Sequence, residues 1–420
     1  MDNPKATAIL PGMTHRSDIL ITGGGLAGPL LSLAMAQSGH RVTVIDARPE
    51  KVRRNAAFDG RSYAVALTSC RLLSGLGLWD QLQENAQPIL EIKVSDGRAG
   101  QGPSPFFMHF DHAEIEEGPM GHMVQDRYLR RALLDAIEDN DAITHLSGRS
   151  VIHQEAGPGH VTVTLDNGDR AQGALLIGAD GRGSGTADRA GIKRTGWSYG
   201  QTALVCAIEH EHPHHGIAHQ FFMPPGPLAI LPLPGNVSSI VWSETAQNAA
   251  AFHALADGDY LTMLRPRFGG FLGEIGLKGQ RYTYPLTLSL AQSLVADRVA
   301  LIADAAHGVH PIAGQGLNAG MRDIAALAEV LTDATRRGED IGSAQVLARY
   351  EAWRRFDNTA LAMATDSFNR LFSNDNTMVR TVRDLGMGVV NALPSLRRSF
   401  IREAAGLTGD LPRLMKGQAL

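Results

Sequence analysis

The chain has 420 residues, 44% hydrophobic and 20% charged, the composition of a soluble globular protein with core enough for two or three domains. A formal net charge of -4 argues against a general nucleic-acid binder, and no apolar run reaches the roughly 18 residues that a membrane-spanning helix needs. Two distant cysteines, Cys70 and Cys206, exclude a disulfide framework and a CxxC metal pair.

The first sixteen residues read as a loose tail with no cleavable hydrophobic stretch, so the protein is expected in the cytoplasm. Residues 18–22 (DILIT) read as a buried strand that runs into GGGLAG. A helix over 26–38 follows, stopped by Gly39, and residues 41–46 form a second strand ending in an acid. This is a βαβ unit. The polar stretch 51–61 reads as loop, 64–76 as helix and 125–139 as an amphipathic helix. Two alternating strands flank Asn167-Gly168, a hairpin signal, and the second closes in Gly178-Ala179-Asp180-Gly181. From 195 to 284, short β-rich runs alternate with turns and predict an antiparallel sheet. Residues 298–302 return to a buried strand, and the chain after Gly320 reads as helical.

Gly23-x-Gly25-x-x-Gly28 stands between strand and helix. Glycines at this spacing allow a tight turn, close approach of a pyrophosphate and close helix–strand packing, and the helix start offers unpaired N–H groups to phosphate. Asp46, eighteen residues beyond Gly28, can accept from both ribose hydroxyls of an adenosine. It would repel a 2′-phosphate. This unit alone does not separate FAD from NAD. The histidine tract of residues 210–220 looks like a metal site, but its residues surround a proline-containing turn and read as a solvated hairpin tip; no metal is expected.

Three segments resemble the aromatic-hydroxylase class of flavoprotein monooxygenases, whose fold is typified by para-hydroxybenzoate hydroxylase: the glycine unit, GADG followed by Arg182, and the stretch from Ala303 to Asp323. That stretch holds Asp304, His307, Pro311, Gly314, Gln315, Gly316, Leu317, Asn318 and Gly320. It departs from the family pattern at Ala303, where the family has glycine. FDGRSYAVALTSCRLLSGLGLWD, GHMVQDRYLRRALL and the Tyr350, Arg354 and Asp357 positions are similar to the branch of flavin hydroxylases that serves ubiquinone biosynthesis.

The resemblance implies an α/β fold in which a discontinuous Rossmann-like FAD-binding domain carries an inserted antiparallel β-sheet substrate domain and C-terminal helices. The expected FAD-binding parts are 17–80, 121–194 and 285–345. A substrate-domain segment spans 81–120, the β-rich substrate domain 195–284, and the C-terminal helices 346–420. Asp304 is expected to hold the ribityl chain, and Gly314 and Gly316 to admit a planar ring. The helix start at Leu317 and Asn318 is expected to meet the ring's pyrimidine end, and Pro311 to border the reaction face. His307 either shapes this loop or moves a proton. Arg61 either approaches the cofactor or pairs with Asp59, Gln125 either touches FAD or caps a helix, and Asp180 either serves the flavin domain or closes a turn.

The implied reaction is hydroxylation of a polyprenylated phenol by O2 through a flavin C4a-hydroperoxide, with electrons from NAD(P)H or a partner reductase. A hydroxylase of a small soluble aromatic, an isoprenoid-reducing flavoprotein and an FAD-binding assembly subunit stand as alternatives. LAILPLP, Phe221, Phe222 and Trp242 offer apolar surface in a domain expected to roof the pocket; most of it reads as core, with some open to a prenyl chain. Seven basic residues between 376 and 420 (Arg380, Arg383, Arg397, Arg398, Arg402, Arg413 and Lys416) face only three acids there. They suggest contact with the inner face of a membrane or with ubiquinone-biosynthesis partner proteins, against the plainer reading of a solvated helical face.

Overall fold

The computed structural model describes residues 13–100, 102–311, 314–372, 388 and 390–420. In chain order its elements begin with β1 (Thr14–Arg16), β2 (Ile19–Thr22), α1 (Ala27–Gln37), β3 (Val42–Asp46), α2 (Glu50–Arg53), β4 (Ser62–Ala66), α3 (Leu67–Gly75) and α4 (Trp79–Leu82). Then come β5 (Gln87–Ile89), β6 (Glu91–Arg98), β7 (Gly102–Asp111), β8 (Gly121–Gln125), α5 (Asp126–Glu138), β9 (Ile143–Ser147), β10 (Val151–Gly157), β11 (His160–Leu165), β12 (Arg170–Gly173), β13 (Leu175–Gly178) and α6 (Gly185–Arg189). The second half holds β14 (Arg194–His210), β15 (Ile217–Met223), β16 (Gly226–Leu233), β17 (Val237–Thr245), α7 (Ala246–His253), α8 (Asp257–Phe268) and β18 (Ile275–Ala291). It closes with β19 (Val295–Ala296), β20 (Val299–Leu301), β21 (His307–Gly308), α9 (Gln315–Arg336), α10 (Ala344–Phe372) and α11 (Pro394–Ala404).

Six strands form one sheet in the order β19-β20-β13-β2-β3-β9, parallel throughout except for the β19–β20 pair. Ile19–Thr22, Val42–Asp46 and Leu175–Gly178 are buried along their whole length, the near-continuous apolar runs expected of strands covered on both faces. Helices α1, α5, α9 and α10 cover them with leucine, isoleucine and alanine. Three separated stretches of chain therefore build one Rossmann-like sheet, and all its parallel strands end along one edge.

The second large sheet has the order β21-β18-β14-β17-β16-β15-β6-β7. It is antiparallel except where β15 runs parallel to β6, so strands from 81–120 and from 195–291 lie in one sheet. One face, with Leu204, Ile208, Leu228, Ile230, Ile240 and Trp242, packs on α7 and α8. Phe221, Phe222 and Trp242 are all buried, as expected of core residues.

Local readings differ from the sequence in four places. Residues 14–16 are not tail: β1 pairs in parallel with β12. The 51–61 stretch begins in helix α2, which starts after Pro49 with Glu50 in its first turn. The predicted helix over 64–76 starts only at Leu67, because Ser62–Ala66 pairs antiparallel with β8, from Ser62↔Gln125 to Ala66↔Gly121. A partner sixty residues away overrides local helix propensity there. The second hairpin strand divides in two: β12 pairs with β11, while β13 enters the parallel sheet.

Candidate active site

Four strand ends define the site. β2 runs into the glycine loop, β3 ends at Asp46, β13 ends in the Gly178–Gly181 turn, and β20 leads to Ala303 and Asp304. Open parallel sheets bind ligands outside such strand ends. The packing explains the glycine spacing. A Cβ on Gly23 would run into the carbonyl of Ala179, and one on Gly28 into the carbonyl of Gly23. Gly25, by contrast, faces open space. Helices α1 and α9 both start without a side-chain cap and without an acid in the first turn. Their first-turn N–H groups are thus left for an anionic or electron-rich ligand. These features fit a dinucleotide cofactor that carries both a pyrophosphate and a planar ring.

The three motif segments meet. A Cβ on Gly24 would fall on the Asp46 carboxylate, so the phosphate-type loop and the acid adjoin. Arg182 reaches Asp304 Oδ2 at 3.3 Å, joining the second motif to the third. Asn318 Nδ2 donates to the carbonyl oxygens of Ala64 and Gly314, and its Oδ1 accepts from the Ala66 N–H and the Ser69 hydroxyl. Its side chain thereby ties the start of α9 to β4 and α3. Gly314 caps α9 in the left-handed region, φ 63°, and a Cβ there would lie 3.1 Å from Ala64.

The acids differ sharply. Asp46 is 2% exposed, and Arg53 donates to both its oxygens at 2.7 and 2.8 Å. Asp180 accepts from Ser184 and from the N–H and hydroxyl of Thr186, closing the turn before α6. Asp304 is half exposed, with Arg182 as its ion-pair partner. Arg61 pairs with Asp59 and reaches Asp126 at 3.0 Å. Gln125 stands at the N-cap of α5, where its Oε1 accepts from Arg127. Sequence reasoning missed Arg53. The Pro49-Glu50 helix start, which places a basic residue one turn later beside Asp46, was the available signal.

His307 is 1% exposed and hydrogen-bonds Asp323 Oδ2, whose carboxylate is fully buried. The same oxygen accepts the Ala303 N–H at 3.0 Å, while Oδ1 accepts from Arg354 at 2.9 Å and Asn358 at 3.2 Å. Burial alone would raise the Asp323 pKa; the adjacent His307 and Arg354 hold it well below the usual carboxylate range. Ala303 has φ 52°, a left-handed conformation that costs a non-glycine residue about 1–2 kcal/mol. A hydrogen bond to a charged group contributes about 1.5–3 kcal/mol, enough to offset that cost.

Pro311 is exposed at the end of this loop, and His310 before it is fully buried. Gln201 donates through Nε2 to the Pro225 carbonyl at 2.7 Å. Its Oε1 accepts from Asn369 Nδ2 at 3.1 Å and faces His310 Nε2 at 3.3 Å. That amide orientation makes His310 Nε2 the protonated nitrogen. The ring packs edge-on to Tyr199, and burial together with the nearby Arg182 pushes its pKa down to about 4. The tract of residues 210–220 is not the solvated tip expected: His210 and His214 are buried, His210 bonds the His212 carbonyl and the Ser238 hydroxyl, and His214 bonds the Leu233 carbonyl and the Gly216 N–H, which ties the tract to the neighbouring strands. Among the described residues, no group of three or more histidine, cysteine or acidic side chains is arranged to hold a metal ion.

An open parallel sheet with a dinucleotide-type loop, joined to a large β-sheet domain, is the fold of the FAD-dependent aromatic monooxygenases. The p-nitrophenol 4-monooxygenase of Pseudomonas putida superposes with a TM-score of 0.78 over 94% of this chain and 99% of that one, at 17% identity. Residues 16–365 match the FAD binding domain family, and the chain belongs to that family, within its aromatic-hydroxylase class. It is 44% identical to the ubiquinone hydroxylase UbiL of Rhodospirillum rubrum, over all of this chain and 97% of that protein. It is 32% identical to the 3-demethoxyubiquinol 3-hydroxylase of Escherichia coli, over 94% of this chain and all of that protein. The protein is an FAD-dependent aromatic hydroxylase that uses O2.

Proposed function

We propose that the protein hydroxylates the aromatic ring of a polyprenylated phenol in ubiquinone formation, with NAD(P)H or a partner reductase as electron source. The observation that carries this reading is the convergence of segments 23–28, 178–182, 303–311 and 314–318 at one sheet edge, in a chain similar along its whole length to ubiquinone hydroxylases. Bound FAD supplies electron transfer and oxygen activation. The chain's own work is to hold and orient. Gly23, Gly25 and Gly28 with the start of α1 take the pyrophosphate, and Asp46 takes the adenosine ribose in exchange for part of its Arg53 pairing. Asp304, the most exposed of these acids, takes the ribityl hydroxyls. The α9 start at Gly314, Gly316 and Leu317 stabilises negative charge at the ring's pyrimidine end. The Asn318 side chain holds that helix start in place, and Pro311 borders the reacting face. Asp180, Arg61 and Gln125 shape the surrounding loops through the contacts described, and His307 acts through Asp323 rather than on the substrate.

A substrate comparison tests the reading. A short-chain prenylphenol is expected to turn over with kcat/KM at least about tenfold above the same phenol without its chain. Equal efficiency would favour a soluble aromatic as the substrate.

Peripheral membrane contact is part of the proposal. Leu393, Leu396 and Phe400 are exposed on and beside α11, near Arg398. Other basic residues of this segment are engaged: Arg397 with Glu114, Arg402 with Glu117, and Arg413 with Glu329 and Asp333. Arg380 and Arg383 lie outside the described residues. Contact therefore rests on apolar insertion more than on charge. Among the described residues, no helix is long and apolar enough to cross a membrane.

A further inference from the structure

We propose that Asp323 is a positioning residue for the cofactor: it holds residue 303 in a left-handed backbone conformation and so aims the neighbouring Asp304 out of the strand end. The two carboxylate oxygens divide the work. Oδ2 faces the loop and accepts from the Ala303 N–H and from His307. Oδ1 faces α10 and accepts from Arg354 and Asn358. The carboxylate is 0% exposed and the Arg354 guanidinium 2%, so the bridge is shielded from water on both sides. Ala303 is an unusual occupant, because a methyl-bearing residue does not hold φ 52° unaided. Its Cβ fits because α9 has glycine at position 320: a Cβ there would come within 2.8 Å of it. The strand leading into the loop is pinned from α10 as well, where the Tyr350 hydroxyl donates to the Leu301 carbonyl at 2.8 Å. Residues 301–307 thus take their shape from α9 and α10, and Asp304 inherits its direction from that shape.

This inference rests on the reading of Asp304 as a cofactor ligand. Its test measures FAD and ADP dissociation constants on the full-length protein. ADP reports only the glycine loop and Asp46, so it serves as the internal control for folding. Asp323→Asn is expected to weaken FAD binding about tenfold or more and to leave ADP binding within about twofold. Adding Ala303→Gly, which accepts the left-handed region without help, is expected to recover at least about threefold of the lost FAD affinity. Equal loss of FAD and ADP binding, or no recovery in the double variant, overturns the proposal. If Asp323→Asn does not fold, Gly320→Ala, whose Cβ would meet that of Ala303 at 2.8 Å, takes its place with the same glycine rescue, since Asp323 and Arg354 then keep each other. Asp304→Ala separates the two levels. Unchanged FAD affinity in that variant refutes the reading of Asp304 and the inference with it, whereas weakened FAD affinity without glycine rescue refutes the inference alone.

Discussion

Ala303 holds φ 52° with a side chain that disfavours it, and the compensation comes from a buried carboxylate twenty residues along the chain. With Asp323 intact, Ala303→Gly is expected to raise stability by about 0.5–1 kcal/mol in chemical denaturation, because glycine removes the left-handed cost but adds unfolded-state entropy. His310 makes a pH prediction. Its ordinary value of 6.5 falls to about 4 in the folded protein, where Arg182, Asp366, Tyr199 and Gln201 are its neighbours and Asn369 holds Gln201. The unfolded imidazole takes a proton below pH 6.5 while the folded one resists. Its contribution is therefore fully present above 6.5 and is lost as pH falls toward 4, by up to about 3 kcal/mol. Denaturation midpoints across that window should fall less steeply in His310→Gln than in the parent; parallel curves would refute this assignment. At this scale the sequence was partly legible. Asp304, Gly25 and the Asp46 position could be read because each ends or follows a strand. The pairing of Asp323 with Arg354 depends on where two helices pack, which no local pattern encodes, and that of Asp46 with Arg53 had only the Pro49-Glu50 helix start as its signal.

Helices α1 and α9 share one design: both start bare, with no side-chain cap and no first-turn acid, at strand ends of the same sheet edge. Gly25→Ala separates ligand approach from packing. Its Cβ would meet nothing within 4 Å, so the unliganded protein should keep its melting temperature while FAD affinity falls about tenfold or more. Gly28→Ala should lower both, because α1 must move off the Gly23 carbonyl. Normal FAD binding by the Gly25 variant would mean that this loop does not face the cofactor. The βαβ unit, α5 and α9 were legible because their hydrophobic periods match their final environment. β4 was not: SYAVA reads as helix-compatible and becomes strand only through β8, far along the chain. The split between β12 and β13 was hidden for a similar reason, since both lie in one alternating run and only sheet membership divides them.

At the scale of the molecule, β2 and β3, then β13, then β20 come from stretches more than a hundred residues apart and close into one sheet, with five of the eight strands of the large β-sheet (β14 to β18) built between β13 and β20. That arrangement places the sheet edge proposed for the cofactor beside the large β-sheet, and it brings three clusters that are separate along the sequence to one edge. Membrane contact also belongs to this scale: replacing Leu396 and Phe400 with serine should lower vesicle sedimentation of the protein severalfold without changing FAD affinity. The most direct test of the whole account is isotope incorporation. The purified protein with FAD, an electron donor and a short-chain prenylphenol is placed under 18O2. One 18O atom is expected in the ring hydroxyl of the product, and none taken from H218O in the converse labelling. A product with no added oxygen, or with oxygen taken from water, would contradict it.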